Sequence, residues 1–313
     1  MRKFLQVFVI LALGIAALIL TVNSGDAQLV EGQKNRLPSF SILSLQPQTV
    51  SDSSSALSSA CALKPIPRAN KSKSTVAAVR DPVPLSRFRQ DPNLADPTKE
   101  TLGKATPKYN PREEVALAHP TNFGRRFVQD LYGKPADNAA IVVLHETVGS
   151  AQSTIGFFQT PHPNDNDQVS YHTLITLDGT IVYLVPPDRR AFGAGNSVFV
   201  GETGQEAVQT NPDFPPSVNN FAYHISLVTP PDGRNNTNRH SGYTRAQYQS
   251  LAWLVAKTGV PESRITTHRT VDRSRQRKDP RSFDGEYFSR LLSFYPKTQE
   301  ISTQCSTPAV LEE

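Results

Sequence analysis

Hydrophobic residues make up 37% of this 313-residue chain, too few for a protein packed from end to end, and the shortfall lies in the first third. That excludes one continuous core and leaves a folded domain behind a long polar segment. The chain has no helix-turn-helix pattern and no basic groove interleaved with stacking aromatics, which sets nucleic acid aside despite a net charge of +5. The positive balance suits another polyanion, such as the bacterial wall. Cysteine is scarce: Cys61 and Cys305 both lie outside the region that carries the motifs. In an oxidising compartment they could pair and tie tail to terminus, and free thiols are the other reading.

Nor does any apolar run clearly reach the roughly 18 to 20 residues of a membrane-spanning helix. The longest, Val7 to Leu20, nearly does so if Phe4, Leu5, Thr21 and Val22 are added. With Arg2 and Lys3 ahead of it and small polar residues behind, it reads as an export signal over residues 1–27, cut after Ala27. A retained N-terminal membrane anchor is the alternative. Either way the expected location is exported: periplasm, cell wall or extracellular space.

From 28 to 110 the chain is rich in Ser, Pro, Gln and Lys, as in Ser51-Asp-Ser-Ser-Ser55 and Lys71-Ser-Lys-Ser74. It holds neither a period of two nor one of 3.6. It reads as a disordered linker that lets a catalytic part stand off a membrane or range through a wall; a small unrecognised domain is the other reading.

Order is expected over 111–296, with a flexible polar tail over 297–313. Phe123, Phe127 and Leu131 recur at four-residue spacing and suggest a short helix or a wrapped segment. Ala139 to Leu144 is a β-branched run too short for a helix, hence a strand buried on both faces, with His145 at its carboxyl end. A polar loop follows. Val169–Leu177 and Thr180–Val185 flank Asp178-Gly179, a hairpin signal. A glycine-studded loop, Ala191-Phe-Gly-Ala-Gly-Asn-Ser197, opens a polar insertion, and Phe221 to Thr229 reads as another strand. Thr244 and Gln247 form a capping box ahead of the apolar face Tyr248, Leu251, Ala252 and Val255, with Gly259 and Pro261 ending the helix. Ile265-Thr-Thr267 delivers His268, and 283–294 closes the domain as a helix. The fold class is α/β: a mixed sheet flanked by helices.

A hydrolytic zinc site takes three ligands from His, Asp, Glu or Cys and leaves a fourth position for water, whose pKa falls toward neutrality. His145, His268 and Asp279 could supply two imidazoles and a carboxylate. Taken singly, a histidine at a strand end is more often structural and an aspartate before proline a turn residue. In order, however, the landmarks resemble the zinc-dependent N-acetylmuramoyl-L-alanine amidases of the type 2 family, which shares its fold with the peptidoglycan recognition proteins. They are the strand ending in His145-Glu146-Thr147, Val169-Ser-Tyr171-His172 before Asp178-Gly179, the loop Ala191–Ser197, Asn219–Ser226, Thr267-His268 and Lys278-Asp279-Pro280.

The resemblance implies Zn2+ held by His145, His268 and Asp279, and peptidoglycan or muropeptides as the partner. The bond cut would be the amide between N-acetylmuramic acid and L-alanine. Asp279 rather than Asp272 carries the family's Asp-Pro context. Tyr171 matches a tyrosine near the zinc that orients water or steadies an oxyanion, or else it packs on the core; His172 is expected to be structural. Three departures stand out. Ser226 replaces a glutamate, in a pattern Ile-Gly-Ile-Glu that here reads Tyr223-His-Ile-Ser226, leaving Glu146, His224 or Tyr171 as candidate bases. The place of a family lysine holds Arg277, with Lys278 adjacent, and Arg277 would stabilise an oxyanion without acting as a base. A loop that often reads Trp-His-Ala-Gly is Phe192-Gly-Ala-Gly195, without its histidine. These departures keep an alternative open, a non-catalytic muropeptide-binding protein of the same fold. The oligomeric state is not legible.

Overall fold

A computed structural model describes residues 61–66, 82–90 and 108–303. The expected signal, most of the expected linker, Cys305 and the end of the tail lie outside the described residues.

The sheet at the centre has six strands in the order β1-β5-β4-β9-β3-β10. β1 is Glu113–Val115, β3 Ile141–Glu146, β4 Thr173–Ile175, β5 Ile181–Tyr183, β9 Ala222–Leu227 and β10 Ile265–Thr267. Only β4 and β5 pair antiparallel, across the turn at Asp178-Gly179, where Gly179 takes a φ of 87°. The other neighbours run parallel. β3 and β9 are buried at every position, as expected of parallel strands covered on both faces. Short antiparallel pairs lie outside this sheet: β2 (Phe123–Arg125) with β6 (Arg189–Ala191), and β7 (Phe199–Gly201) with β8 (Gly204–Glu206).

Alternation along β3 and β9 divides the core. Val142, Leu144, Tyr223, Ile225 and Leu227 meet α2 (Arg245–Ala256) and α4 (Gly285–Leu292) through Leu251, Leu254, Val255, Phe288 and Leu292. Ile141, Val143 and Ala222 face the other way, against Ala194, Phe199, Val218 and Phe221. The capping box at α2 forms as the sequence implies, with Gln247 N–H donating to Thr244 Oγ1 at 3.1 Å and Thr244 N–H to Gln247 Oε1 at 3.0 Å.

Several expectations are corrected. Of the two readings of residues 122–132, the helix fails and the wrapped segment stands: after a 3-10 turn ending at Asn122, β2 is extended, and the next residue, Arg126, is buried with its guanidinium donating to the carbonyls of Pro187, Asn220 and Ala222. The loop after β3 contains α1 (Ala151–Gln159), capped by Ser150, which buries Phe158 and packs Ala151 and Ile155 beside it on the same side. Within the expected linker, Ala62 bridges Phe127 and Phe88 is buried in the core. The tail is not free up to Thr303: Ile301 is buried, and the Glu300 carboxylate is clasped by Arg89 at 2.7 Å and Lys257 at 2.8 Å. Both cations also lie over the Trp253 ring. Cys61 is disulfide-bonded.

Arg89 would keep its pair with Glu113 while Lys257 would lose its carboxylate, so Glu300→Ala is expected to destabilise the protein by roughly 1–3 kcal/mol. Urea unfolding checks this; an unchanged midpoint would mean that residues 298–303 are not part of the folded unit.

Candidate metal centre

β3 and β10 are parallel neighbours with Leu144 opposite Thr267. The next residues, His145 and His268, therefore stand side by side at the carboxyl ends of the strands, where open α/β sheets place their chemistry. His268 begins α3 (His268–Val271), whose cap Thr267 accepts from the Thr270 amide. The chain then loops back. Asp272 accepts from the amides of Ser274, Gln276 and Arg277. The Asp279 carbonyl accepts from the Arg269 amide at 2.9 Å. Asp272 thus serves the loop, while Asp279 reaches the histidines.

Asp279 Oδ2 lies 3.0 Å from His268 Nδ1 and 3.3 Å from His145 Nδ1. The three donor groups fall within 4.8 Å of one another. His145 is fully buried, and its Nδ1 lacks a well-formed hydrogen bond despite the nearby carboxylate. A buried nitrogen orphaned beside a carboxylate oxygen and a second imidazole fits a divalent cation, and two nitrogens with one oxygen suit zinc. The protonation states agree. Burial lowers the His145 pKa to about 4 against the opposing Asp279 carboxylate. Burial would raise Asp279, but its contacts with His145 and His268 outweigh that and hold it well below the usual carboxylate range. Imidazole free of its proton and ionised carboxylate are the forms that bind metal.

The Tyr171 ring stacks on His145 at 4.5 Å and meets Phe158 edge-on. Burial, helped by the charge of Asp279, raises its pKa, so its hydroxyl keeps its proton. Glu146 points to the opposite face of β3 from His145. There it is buried and taken up by Arg281 Nε, His240 Nε2 at 3.1 Å, the Tyr243 hydroxyl at 3.1 Å and Thr229. This corrects its expected role as a base: the carboxylate is committed to a structural clamp. Arg277 and Lys278 are exposed. Lys278 Nζ is drawn aside to Asn238 Oδ1 at 2.7 Å, whereas the charge of Arg277 is felt at His145 and Tyr171. With Arg239, Arg269 and Arg275 they line a basic cleft beside Asp279.

His172 is structural, as expected. Its Nδ1 accepts from the His224 amide at 2.9 Å and its Nε2 meets the Arg189 carbonyl at 3.0 Å. His240, Tyr243 and Arg281 escaped the sequence reading, since the buried acid they serve lies about a hundred residues away. The only signal for Arg281 was its place just after Asp279-Pro280.

Two imidazoles and a carboxylate converging at the carboxyl ends of a mixed sheet define the class, an α/β protein with a His-His-Asp cluster of a geometry that could hold a metal ion. Residues 135–282 match the family described as N-acetylmuramoyl-L-alanine amidase. Among solved structures it is similar to an AmpD derivative, at 24% identity and a TM-score of 0.42, over 59% of this chain and 96% of that one. It is also similar to the amidase LysC from Clostridium intestinale, at 19% identity and a TM-score of 0.35, over 59% and 99%. A third is AmiD from E. coli, solved with anhydro-N-acetylmuramic acid-L-Ala-D-gamma-Glu-L-Lys, at 19% identity and a TM-score of 0.38, over 49% and 57%. None of the curated proteins compared matches the chain.

Glu146→Ala leaves Arg281 buried without its carboxylate, and is expected to cost roughly 3–5 kcal/mol in thermal or urea unfolding. Wild-type stability in that variant would mean that the clamp is idle. The buried histidines set a second expectation. Burial holds His172 and His224 well below the ordinary imidazole value, and His145 at about 4. The unfolded chain takes up these protons near pH 6.5, so stability present above that pH is lost as pH falls. The metal-free protein should lose about 1.4 kcal/mol per pH unit for each such histidine below pH 6.5. Urea midpoints at pH 7, 6 and 5 check this, and a flat profile would contradict it.

Proposed function

We propose that the protein is a zinc-dependent amidase that cuts the amide joining the lactyl group of N-acetylmuramic acid to L-alanine, in peptidoglycan or in muropeptides released from it. The observation that carries this reading is the convergence of His145 Nδ1, buried without a hydrogen-bond partner, on the hydrogen-bonded pair His268 Nδ1 and Asp279 Oδ2, in a chain whose residues 135–282 match an amide-hydrolase family. Zinc bound there would polarise the carbonyl and lower the pKa of a bound water.

The remaining steps fall to this chain's side chains. Tyr171, kept protonated against His145, donates to the oxyanion that develops as the carbonyl is attacked. Arg277 is a fixed positive charge at the mouth of the site. Together with Arg269 and Arg275 it draws in the carboxylates of a stem peptide. Lys278, tied to Asn238, shapes the cleft wall. The protein is exported, with residues 1–27 as a cleaved signal or a membrane anchor.

One observation favours the alternative, a muropeptide binder that does not cut: Ser226, opposite His145 in register, presents a buried hydroxyl without a hydrogen-bond partner in place of a carboxylate. Two measurements separate the readings. Purified protein should carry about one zinc per chain and lose it in Asp279→Ala. Dye release from labelled peptidoglycan should stop on chelation and in His268→Ala. Tight muropeptide binding with no lactyl-amide cleavage at any pH would leave the binder instead.

A further inference from the structure

We propose that His224 is a positioning residue for the metal centre: it accepts the Nε2 proton of His145 and thereby holds that imidazole with Nδ1 turned toward the cation. This rests on the zinc reading above. His224 stands two residues before Ser226 on β9, and Ser226 pairs with His145. Alternation puts His145, His224 and Ser226 on one face of the sheet. There His224 Nδ1 lies 2.9 Å from His145 Nε2, in a contact from which water is excluded.

An imidazole that gives Nδ1 to a metal must carry its proton on Nε2, and the partner of that N–H fixes both tautomer and ring orientation. Here the partner is His224 Nδ1, which must then be unprotonated, with the proton of His224 on Nε2. That Nε2 is buried without a hydrogen-bond partner, an arrangement a merely structural histidine would not need. His224 is itself held in place. Its amide donates to His172 Nδ1 at 2.9 Å, and the His172 ring lies nearly parallel to it at 5.8 Å.

The loop beside it is cut to fit. A Cβ at Gly193 would come within 2.6 Å of His224 Nδ1 and 2.7 Å of its Cγ. The glycine at 193 in the loop Phe192-Gly-Ala-Gly195 thus leaves the space that the His224 ring occupies.

The test measures zinc affinity of the full chain by competition with a chromophoric chelator, together with imidazole 1H–15N spectra of the zinc-loaded protein. His224→Leu should bind zinc about 10- to 100-fold more weakly. His224→Asn, whose Oδ1 accepts where Nδ1 did, should stay close to wild type. The spectra should show a slowly exchanging Nε2 proton on His145 in the wild type and in His224→Asn, lost in a folded His224→Leu. If wild-type protein binds zinc and His224→Leu binds it equally tightly, the inference is overturned while the zinc reading stands. If His224→Leu does not fold, the wild-type spectrum decides alone, since a His145 Nε2 proton exchanging as fast as an exposed imidazole overturns the inference. Wild-type protein that takes up no zinc overturns the reading beneath it.

Discussion

The parallel pairing of β3 with β9 on one side and β10 on the other is the constraint on which the site depends. Pairing of Leu144 with Thr267 sets His145 level with His268, and pairing of His145 with Ser226 sets His224 behind it. A slip of one residue would turn every side chain of β3 to the other face. Such a slip would bury Glu146 where His145 belongs. The apolar clusters on both faces oppose it, since Val142 and Leu144 are committed to the α2 and α4 side and Ile141 and Val143 to the other.

Placing a histidine and a glutamate next to each other at the end of a buried strand obliges the fold to satisfy a polar group on each face. The two faces solve this differently. Glu146 is surrounded by donors, four side chains and the Arg281 amide, so nothing is left for chemistry. His145 is given one nitrogen partner and left with the other poorly satisfied, next to a carboxylate whose own environment keeps it ionised. Saturation on one face and deliberate shortage on the other separate a structural cluster from a ligand-binding one.

Legibility followed the range of the interaction. The strand ending at His145, the hairpin at Asp178-Gly179 and the capping box at Thr244 are local patterns, and the sequence expresses them within a few residues. The mixed sheet followed from such patterns, and the grouping of His145, His268 and Asp279 from the family resemblance that the patterns carry when taken in order. Contacts between distant residues left no comparable trace: Arg89 and Glu300 are 211 positions apart, and Arg281 and Glu146 are 135 apart. Neither Phe88 nor Ile301 belongs to a periodic segment, so their docking could not be read. α1 was missed although Ala151, Ile155 and Phe158 pack on the core at helical spacing, because the polar residues among and after them read as a loop. Tyr171 was left between two roles by the sequence; the stacking on His145 and the contact with Phe158 show that it has both surroundings at once.

The segment 272–281 gains a further meaning from this. It carries Asp279 to one face of the strand end and Arg281 to the other, and these residues are separated only by Pro280. The Arg281 guanidinium is held by Glu146 and by the carbonyls of Gly233, Asn235 and Thr237, while its own amide also donates to Glu146. A ligand on a loop is only as well placed as the nearest rigid anchor, and the anchor of Asp279 is this buried arginine. The clamp around Glu146 therefore moors the loop that carries Asp279 without touching Asp279 itself. His145 is fixed by the strand and by His224, Asp279 by Arg281, and His268 by the cap of α3, so each of the three donors has an independent mooring. That is the preorganisation a site needs to present two imidazoles and a carboxylate to a cation, instead of collapsing them into one hydrogen-bonded knot.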